Sequence, residues 1–585
     1  MFEFLDLVTL GQRKKFFKTV LLVSLSDLFN FSSIFFICWI IYQMFSPWLD
    51  GSEPEGLAVA ACAAAAFMLL SYFIAVPGYR STYIDTYRQS AAGRLQLAEH
   101  IRKLSAEQLA GLDPERISRS MMNDFADLET VCSHLLPEIC SAVFVCLLVA
   151  AGLTIYNWQI ALCFFCCIPA AFLILRAVVR RSGSMTDTQR KTALEASSNL
   201  SEFISGIATF KANCMGGAKF SRLTDSFEQL RKQSLRLEVT MMPFALMAMS
   251  CMGSGIGILV FAGQYFIASG TVTPVEFLCV TLIAARSIVP MLTFSVEFLE
   301  LQYFAGSAKK IRELMMMKQM EGKSAGLPEG SDLQLDRVCY RYPSAAKDAL
   351  SNVSLSIPAG TSVAIVGPSG GGKSTLLRLI ARCMDPTSGQ IRIGDPASAV
   401  CYTDLDPEEL NRKFSIVFQN TVLFNGSVRF NVTLGDESFT REQVENALKT
   451  ARVDFATQDD LIAEYGQNLS GGERQRICIA RCLLRKAPVV LLDEVTSSLD
   501  VWNSRATQQA ISSLAGSGTV IVIAHRLQSV TDYDRIIFVE NGSIVEEGTH
   551  GELLALNGRY RAMWDTDFHS CDSRTQEKRF PAVLI

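Results

Sequence analysis

Six apolar stretches in the first half of the chain constrain its fold more than any other feature of the sequence. They cover residues 19–45, 57–79, 132–155, 158–179, 241–268 and 275–300. Each is close to or longer than the roughly 20 residues that a helix needs to cross a lipid bilayer. The sequence therefore predicts an all-α transmembrane domain of six helices rather than a soluble core.

Lys and Arg are distributed unevenly among the segments that connect these spans. Residues 46–56, 156–157 and 269–274 contain neither, whereas residues 80–131 and 180–239 are rich in both. Because basic connecting segments remain in the cytoplasm, we expect both termini and the two basic segments on the cytoplasmic side of a bacterial-type inner membrane. The net charge is only −4 and there is no basic block, so no nucleic-acid partner is expected.

The two basic segments have the pattern of helices. Their apolar residues recur three and four positions apart, and Gly and Pro are scarce. About 25 residues of helix extend roughly 37 Å, so each segment is predicted to carry a pair of spans beyond the membrane and to turn back through a short connecting helix. An ordinary cytoplasmic loop is the alternative, but such long loops without turn residues are uncommon.

The second half of the chain has the pattern of a soluble α/β domain. Strand-like runs such as TSVAIVG, PVVLLD and TVIVIAH alternate with helical segments, which is typical of a mainly parallel sheet. The predicted domains are a transmembrane domain at 1–310, a linker at 311–331 and an α/β domain at 332–585.

The most specific motif is GPSGGGKST at residues 367–375, between a predicted strand and a predicted helix. Its glycines let the backbone N–H groups approach phosphate oxygens closely. Lys373 is then expected to reach the β- and γ-phosphates, and Ser374 to ligate Mg²⁺. Further along, the strand VVLLDE ends in Asp493, placed for Mg²⁺, and Glu494, placed for a water molecule.

Five further motifs occur in the same half of the chain. They are Tyr342 in YRYP, Gln419 in VFQN, LSGGE at 469–473, SSLD ending at Asp500, and His525 in IAHR. With the phosphate loop and the strand-end carboxylates, their types and order resemble ATP-binding-cassette (ABC) transporters in which six spans precede one cassette. The resemblance covers nearly the whole chain and is most specific in the cassette.

The resemblance implies a role for each matching residue. Catalysis of ATP hydrolysis would involve Glu494, His525 and Gln419. Mg²⁺ would be held by Ser374, Gln419 and Asp493. ATP would be bound by Tyr342, Gly367, Ser369, Gly370, Gly371, Gly372, Lys373, Ser374, Thr375, Ser470, Gly471, Gly472 and Asp500. Within these sets, Tyr342 would stack on adenine, and Ser470 and Gly472 would contact the γ-phosphate of ATP held by another cassette.

One cassette cannot complete an ATP site in this family, so the resemblance implies a dimer with a second half-transporter. We expect a heterodimer in preference to a homodimer. The family pattern also places helices that couple the spans to the cassettes near residues 108–116 and 211–218.

Two features depart from the family pattern. The signature motif ends in Glu473 instead of Gln, which brings a carboxylate near bound phosphates unless it points toward Arg474 or Arg476. The preceding stretch, FATQDDLIAEYGQ, is short, and Glu464, Tyr465 and Gly466 replace its usual acidic and glycine element.

The substrate is less visible in the sequence. The LSGGE variant, the short cassette and the sixth span resemble, more loosely, the subgroup that imports ferric siderophores, which makes a ferric siderophore the expected small-molecule substrate. An exporter of lipids, peptides or drug-like molecules is the alternative, because it would share every ATPase residue. A second alternative is an ATP-gated regulatory channel or membrane scaffold. Membrane lipid is expected as a partner in each case.

Six ionisable residues lie within or at the margins of the spans: Asp27, Glu138, Glu276, Arg286, Glu297 and Glu300. The three glutamates of the sixth span are expected at the membrane interface. Arg286 lies midway along that span, where an unpaired charge is costly. Two interpretations remain open: a buried ion pair with Asp27 or Glu138, or a cation that faces a cavity and attracts an anionic substrate.

Overall fold

The computed structural model describes residues 13–50, 56–213, 221–323, 326–343, 345–494, 508–513, 518–524 and 526–566. The chain forms two compact units. The first comprises residues up to 102 together with 113–317, and the second comprises 103–112 together with residues from 318 onward. Each unit is built around its own core.

The described residues of the first unit form helices and no strands. Its helices are α1 (Arg13–Asp50), α2 (Leu57–Arg80), α3 (Thr86–Arg102), α5 (Pro114–Arg119), α6 (Phe125–Thr130), α7 (Leu136–Tyr156), α8 (Trp158–Phe165), α9 (Ile168–Ser205), α10 (Ile207–Ala212), α11 (Ser221–Ala268) and α12 (Pro274–Met315), while α4 (Ala106–Ala110) belongs to the second unit.

Within the described residues, six helical stretches are long and apolar enough to cross a membrane. They are Lys14–Phe45, Ala58–Arg102, Pro114–Tyr156, Trp158–Ser205, Ser221–Ala268 and Pro274–Leu301. Each contains most or all of one span predicted from the sequence, so the all-α, six-helix membrane domain is confirmed. Several of the stretches are 43 to 48 residues long, as expected for helices that continue past the membrane.

Two short connections follow from local capping. Asn157 Oδ1 accepts hydrogen bonds from the backbone N–H groups of Gln159 (2.9 Å) and Ile160 (3.3 Å), which starts α8 directly after α7 ends. Thr273 and Glu276 form a reciprocal capping box at the start of α12. Glu276 therefore lies at a helix end, in agreement with its predicted interfacial position.

In the part of the first unit that the structure describes, three π-helical segments interrupt the α-helices. They span Ser81–Asp85, Ser120–Asp124 and Val131–Leu135. In a π-helix, backbone N–H groups bond to the carbonyl five residues earlier in the chain. Such segments are rare and often occur at functional sites. No pattern in the sequence predicted any of these segments.

The core of the first unit is tightly packed where α11 meets its neighbours. A Cβ atom added at Gly255 would lie 2.3 Å from the carbonyl oxygen of Phe164, and one at Gly263 would lie 2.1 Å from the ring of Phe277. Both distances are shorter than any van der Waals contact, so the absence of a side chain lets α8 and α12 approach α11 closely.

The second unit is an α/β domain. Its strands are β1 (Leu333–Tyr340), β2 (Leu350–Ile357), β3 (Ser362–Val366), β4 (Ser388–Ile393), β5 (Val400–Cys401), β6 (Phe414–Val417), β7 (Gly426–Ser427), β8 (Leu461–Ile462), β9 (Val489–Asp493), β10 (Thr519–Ile523), β11 (Arg535–Glu540) and β12 (Ser543–Gly548). Its remaining helices include α13 (Lys373–Ile380), α14 (Pro407–Leu410), α15 (Val428–Thr433), α16 (Arg441–Thr450), α17 (Gly471–Arg485) and α18 (His550–Leu556).

The main sheet has the strand order β12-β11-β3-β10-β9-β6. All its neighbouring strands are parallel except β11 and β12. A four-stranded antiparallel sheet, β2-β1-β4-β5, and the small β7-β8 pair complete the unit. The parallel sheet brings the ends of β3 and β9 to the same edge, where the phosphate loop and the paired carboxylates follow. The predicted α/β class is confirmed.

The short helix α4 packs within the second unit although it is remote from the cassette in sequence. Ser105 caps it through a capping box with Gln108, and the backbone N–H of Ala106 donates to the carbonyl of Cys383 at 2.8 Å. The chain then leaves the helix at Gly111, and a new helix, α5, begins with Pro114 after the capping residue Asp113.

The prediction of one coupling helix near residues 108–116 is therefore wrong in its bounds. Capping and Pro114 divide that range between two helices, and only the earlier one, α4, belongs to the second unit. For the range predicted near 211–218, α10 ends at Ala212 and residues 214–220 lie outside the described residues.

Candidate functional site

The phosphate loop connects β3 to α13 and depends on glycine at several positions. Gly367, Gly370 and Gly372 have φ values of 139°, 78° and 106°, which residues other than glycine rarely adopt. A Cβ atom at Gly367 would lie 2.1 Å from the carbonyl oxygen of Val539. The loop and the first turn of α13 contain the predicted residues Gly367, Ser369, Gly370, Gly371, Gly372, Lys373, Ser374 and Thr375.

Lys373 lies at the centre of this loop and is only 5% exposed. Its Nζ donates to the carbonyl oxygens of Gly367 (2.8 Å) and Pro368 (2.9 Å). Burial lowers the pKa of Lys373, and the carboxylates of Glu494 and Asp493 oppose that shift by favouring the ammonium form. The loop therefore encloses a cation together with backbone N–H groups, which fits the phosphates of a nucleotide.

Two oxygen ligands suited to Mg²⁺ meet at the end of β9. Ser374 Oγ lies 3.4 Å from Asp493 Oδ1, and Asp493 is 2% exposed. A hydroxyl and a carboxylate beside a phosphate loop form the donor set that hard divalent cations prefer. These residues would hold a Mg²⁺ ion, which would supply positive charge beside bound phosphates.

Glu494 and Gln419 lie beside this pair. Gln419 Nε2 donates to Glu494 Oε2 at 2.6 Å, so two predicted catalytic residues from different strand ends are in direct contact. Glu494 has a φ of 52°, a left-handed conformation that costs a non-glycine residue roughly 1–2 kcal/mol. Strain of this kind is frequent at functional sites. The carboxylate is positioned by a specific partner and a specific backbone turn.

The aromatic side of the site is formed by a pair of tyrosines. Tyr342 is half-buried, and its hydroxyl lies 3.2 Å from Thr375 Oγ1 at the start of α13. The ring of Tyr340 meets the ring of Tyr342 edge to face, with centroids 5.0 Å apart and an interplanar angle of 89°. This arrangement is a favourable aromatic pair, and it orients the ring that we expect to stack on adenine.

Tyr340 also connects the pair to α4. Its hydroxyl donates to Glu107 Oε2, while Glu107 Oε1 is buried and has no hydrogen-bond partner among the described residues. Burial, and then the hydrogen bond to Glu107, raise the pKa of Tyr340 above its ordinary value, so it remains a donor at neutral pH. Neither Tyr340 nor Glu107 was predicted from the sequence. The i, i+2 spacing of Tyr340 and Tyr342 is a signal that they share one face of a strand.

The signature motif forms the start of α17. Ser470 caps this helix, and the backbone N–H of Ser470 donates to Glu473 Oε2 at 2.7 Å. Glu473 therefore points to neither Arg474 nor Arg476, because the unpaired N–H groups and positive end of the helix attract its carboxylate instead. The hydrogen bonds of Ser470 remain within α17, and Gly471 and Gly472 occupy the first turn of the same helix.

The structure thus brings together Tyr342, the phosphate loop, Gln419, Asp493 and Glu494. Ser470, Gly471 and Gly472 are grouped separately at the start of α17. Asp500 and His525 lie outside the described residues, so their assigned roles remain predictions from the resemblance. The replaced element at Glu464–Gly466 forms a 3₁₀ turn in which Tyr465 has a φ of 54° and is 69% exposed.

A polar cavity of about 430 Å³ lies among the membrane helices of the first unit. Charged or titratable side chains line it: Asp27, His134, Glu138 and Arg286. Asp27 Oδ2 accepts a hydrogen bond from Ser141 Oγ at 2.5 Å, and His134 Nδ1 lies 3.9 Å from Glu138 Oε1.

Arg286 faces this cavity and forms no ion pair within 4.0 Å with any described residue. The buried pair with Asp27 or Glu138 is therefore absent there, although all three side chains line the same cavity. The interfacial position of Glu297 stays a prediction, and its Oε2 is buried without a hydrogen-bond partner among the residues described. Packing against neighbouring helices encloses that carboxylate.

Comparison with known proteins agrees with this architecture. Residues 350–497 match the family model described as ABC transporter, and residues 16–290 match the model described as ABC transporter transmembrane region. The ATP-dependent lipid A-core flippase of Desulfotalea psychrophila is 31% identical over 81% of this chain and 83% of its own. The mycobactin import ATP-binding/permease protein IrtA of Mycolicibacterium smegmatis is 30% identical over 77% of this chain and 53% of its own.

Among solved structures, a bacterial Atm1-family ABC exporter with ATP bound has the same fold, with a TM-score of 0.81 over 98% of this chain and 99% of that chain, at 20% sequence identity. The family models account for both halves of the molecule. The chain therefore belongs to the ABC transporter family, with a six-helix transmembrane domain and one cassette in a single multi-pass polypeptide that binds ATP and couples its hydrolysis to transport.

Proposed function

We propose that the chain exports an amphipathic, lipid-like molecule from the inner membrane, powered by ATP. The observation that carries this proposal is the polar cavity around Asp27, Glu138 and Arg286, which lies among apolar spans. Charged residues inside membrane spans are costly and generally serve a polar substrate or pathway. The similarity to a lipid A-core flippase supports a substrate with an apolar part.

The ATPase residues divide into holding and reacting groups. Lys373 and the loop N–H groups would hold the phosphates, Tyr342 would stack on adenine, and Ser374, Asp493 and Gln419 would hold Mg²⁺. The cation, when bound, neutralises charge on the β- and γ-phosphates. Glu494 would orient the attacking water and accept its proton, with Gln419 fixing the carboxylate and His525 contacting the γ-phosphate.

A complete site would require a second cassette. In this proposal, Ser470 and Gly472 at the start of α17 face ATP held by the partner, so that two sites form between two cassettes. The proposed partner is a second half-transporter, and we still predict that the two chains form a heterodimer. The cassettes and both termini would lie in the cytoplasm.

The experiment is reconstitution of the full-length chain into sealed vesicles with the cassettes outside. ATP-dependent movement of a fluorescent-tailed lipid into the inner leaflet, shielded from an external quencher, is the expected result. A Glu494→Gln protein, which keeps the fold but loses hydrolysis, is the matched control. Lipid movement equal to that control, with and without a candidate partner chain, would contradict the proposal.

Ferric siderophore import is the second candidate. It is favoured by the similarity to a mycobactin import protein and by the cation Arg286 in the cavity, which suits carboxylate or phenolate groups. In vesicles with the cassettes outside, an importer would release a siderophore loaded inside, whereas an exporter would not. ATP hydrolysis that responds to neither substrate, with no flux of either, would favour the regulatory channel or scaffold.

A further inference from the structure

Two cavities follow one another along the interface of α1, α7 and α12. The first is the polar cavity described above. The second has a volume of about 400 Å³ and a lining that is almost entirely apolar, formed by residues such as Phe35, Leu148 and Gly152. Phe31 and Val145 line both cavities. The two spaces therefore lie end to end and share a boundary.

The order of residues along the helices gives the direction. On α1 the polar cavity includes Asp27 and the apolar cavity reaches Tyr42, and on α7 the corresponding positions are Glu138 and Tyr156. At 1.5 Å per residue these pairs are separated by about 22 and 27 Å along the helix axes. That length is a large part of the roughly 30 Å thickness of a bilayer core. The polar cavity lies toward the end of the spans from which the long basic segments extend.

Two of the three π-helical segments contribute to the polar cavity. Thr82 and Tyr83 come from one segment, and Ser133 and His134 come from another. Thr82 is only 7% exposed, and its Oγ1 has no hydrogen-bond partner among the described residues. A buried hydroxyl without a partner is unfavourable in an empty apolar setting. Together, these features indicate a space built for a polar group.

The charges of the polar cavity are mixed. Arg286 supplies a cation, and Asp27 and Glu138 supply carboxylates. A purely anionic group would meet the two carboxylates, and a purely cationic group would meet the guanidinium. A head group that carries both an ammonium and an acidic group complements both signs.

From these observations we infer that the paired cavities bind a single-tailed amphiphile with a zwitterionic head group, the head among Asp27, Glu138 and Arg286 and the tail along the apolar cavity. This inference deepens the proposed function and rests on it for the identity of the site as a substrate site. Volumes of 430 and 400 Å³ lie within the range of small-molecule pockets.

Binding can be measured without ATP. The full-length chain in amphipol is titrated with four probes that share one alkyl tail: lysophosphatidylethanolamine, lysophosphatidylglycerol, an alkyltrimethylammonium and an alkyl maltoside. Native mass spectrometry gives each Kd. We expect the zwitterionic probe to bind about ten-fold more tightly than each of the others, the effect of one additional charged hydrogen bond in a desolvated site.

Substitutions assign the head-group site. Arg286→Gln and Glu138→Gln should each weaken binding of lysophosphatidylethanolamine about ten-fold, whereas Arg286→Lys, which keeps the cation, should weaken it less than three-fold. Arg176→Gln and Glu300→Gln are matched controls, because both residues are exposed membrane-helix charges outside the lining of the two cavities. These controls should bind as the unchanged chain does.

A glycine pair tests the tail site. A Cβ atom at Gly152 has no neighbour within 4 Å, and the residue lines the apolar cavity, so the side chain introduced by Gly152→Leu should occupy part of that cavity. Gly257 on α11 is equally open but lies outside that lining, which makes Gly257→Leu the matched control. We expect at least a ten-fold loss of binding for Gly152→Leu and less than two-fold for Gly257→Leu.

The outcomes separate this inference from the proposed function. Equal Kd values for the four probes, or equal effects of Gly152→Leu and Gly257→Leu, would overturn the inference even if ATP-dependent lipid movement occurs. Selective binding that responds to Arg286, Glu138 and Gly152 would support it even if vesicles show no lipid movement, in which case only the proposed export fails.

Discussion

The hydrogen bond between Tyr340 and Glu107 allows a sharp test of how α4 is held on the cassette. Tyr340→Phe removes the hydroxyl and keeps the ring against Tyr342. Hydrogen bonds to charged groups contribute about 1.5–3 kcal/mol. Glu107 is half-buried and its enclosed Oε1 has no described partner, so the substitution leaves the carboxylate without its donor, and the cost should approach 3 kcal/mol. Because 1.4 kcal/mol is a factor of ten, docking of α4 would weaken about 100-fold.

Hydrogen exchange of the full-length chain is the assay. The backbone N–H of Ala106 is bonded to Cys383, so the exchange of peptides covering residues 103–112 reports docking of α4. We expect about 100-fold faster exchange there in Tyr340→Phe. Basal ATPase activity and the KM for ATP should be unchanged because the aromatic pair is intact, while stimulation by substrate should be lost.

Tyr560→Phe is the matched control. Tyr560 is fully buried and its hydroxyl lies 2.8 Å from His550 Nδ1, so the substitution removes a buried hydrogen bond in the same unit. Tyr560 packs in a different hydrophobic cluster from Tyr340 and Cys383. The substitution should lower the thermal stability of the chain without altering exchange at 103–112. Unchanged exchange in Tyr340→Phe, or an equal increase in Tyr560→Phe, would refute the reasoning.

Three further predictions concern the cassette. Glu494→Gln should retain ATP binding, measured by nucleotide titration, and lose at least 100-fold in hydrolysis, measured by phosphate release. Lys373→Ala should instead weaken ATP binding itself. Equal losses of ATP binding in the two variants would argue against the assigned roles. Ser470→Arg should block hydrolysis at the ATP site held by the partner cassette, although its own phosphate loop is intact; full activity of the assembly with Ser470→Arg would exclude the two-cassette site. The Ser362 hydroxyl and backbone N–H hold the pKa of Asp534 below its ordinary value. Their contribution to folding stability is therefore present above about pH 4 and is lost as pH falls through the folded-state pKa. Asp534→Asn should lower the unfolding midpoint by about 2 °C at pH 7 and by less below pH 4, and a difference that is the same at every pH would contradict this prediction.

The sequence allowed the phosphate loop to be predicted because its chemistry is local. Positive φ angles at Gly367, Gly370 and Gly372 are required within one short segment, and glycine is the residue that adopts them readily. The six spans were predictable for a similar reason, since length and apolar composition alone determine whether a helix can cross a bilayer.

Contacts between distant segments could not be predicted in this way. Glu107 and Tyr340 are 233 residues apart, and no pattern at either position identifies the other. For Glu473 the sequence left two directions open, toward bound phosphates or toward Arg474 and Arg476, and the backbone N–H of Ser470 at the helix start binds it instead. The π-helical segments arise from a balance between neighbouring helices and have no residue signature of their own.

The π-helical segment Val131–Leu135 contains one residue more than the α-helical turn that it replaces. Deleting one residue there, such as Cys132, would let the segment close as a regular α-helix, and the side chains before and after it would keep their facing. An α-helix advances about 100° per residue and has no surplus residue, so deleting Val143 from α7 would instead rotate every side chain on one side of the deletion by that angle. Glu138 and Val145, which now line the polar cavity together, would then no longer share one face of α7. Natural variants of this transporter should therefore tolerate a lost residue within 131–135 more readily than one within α7.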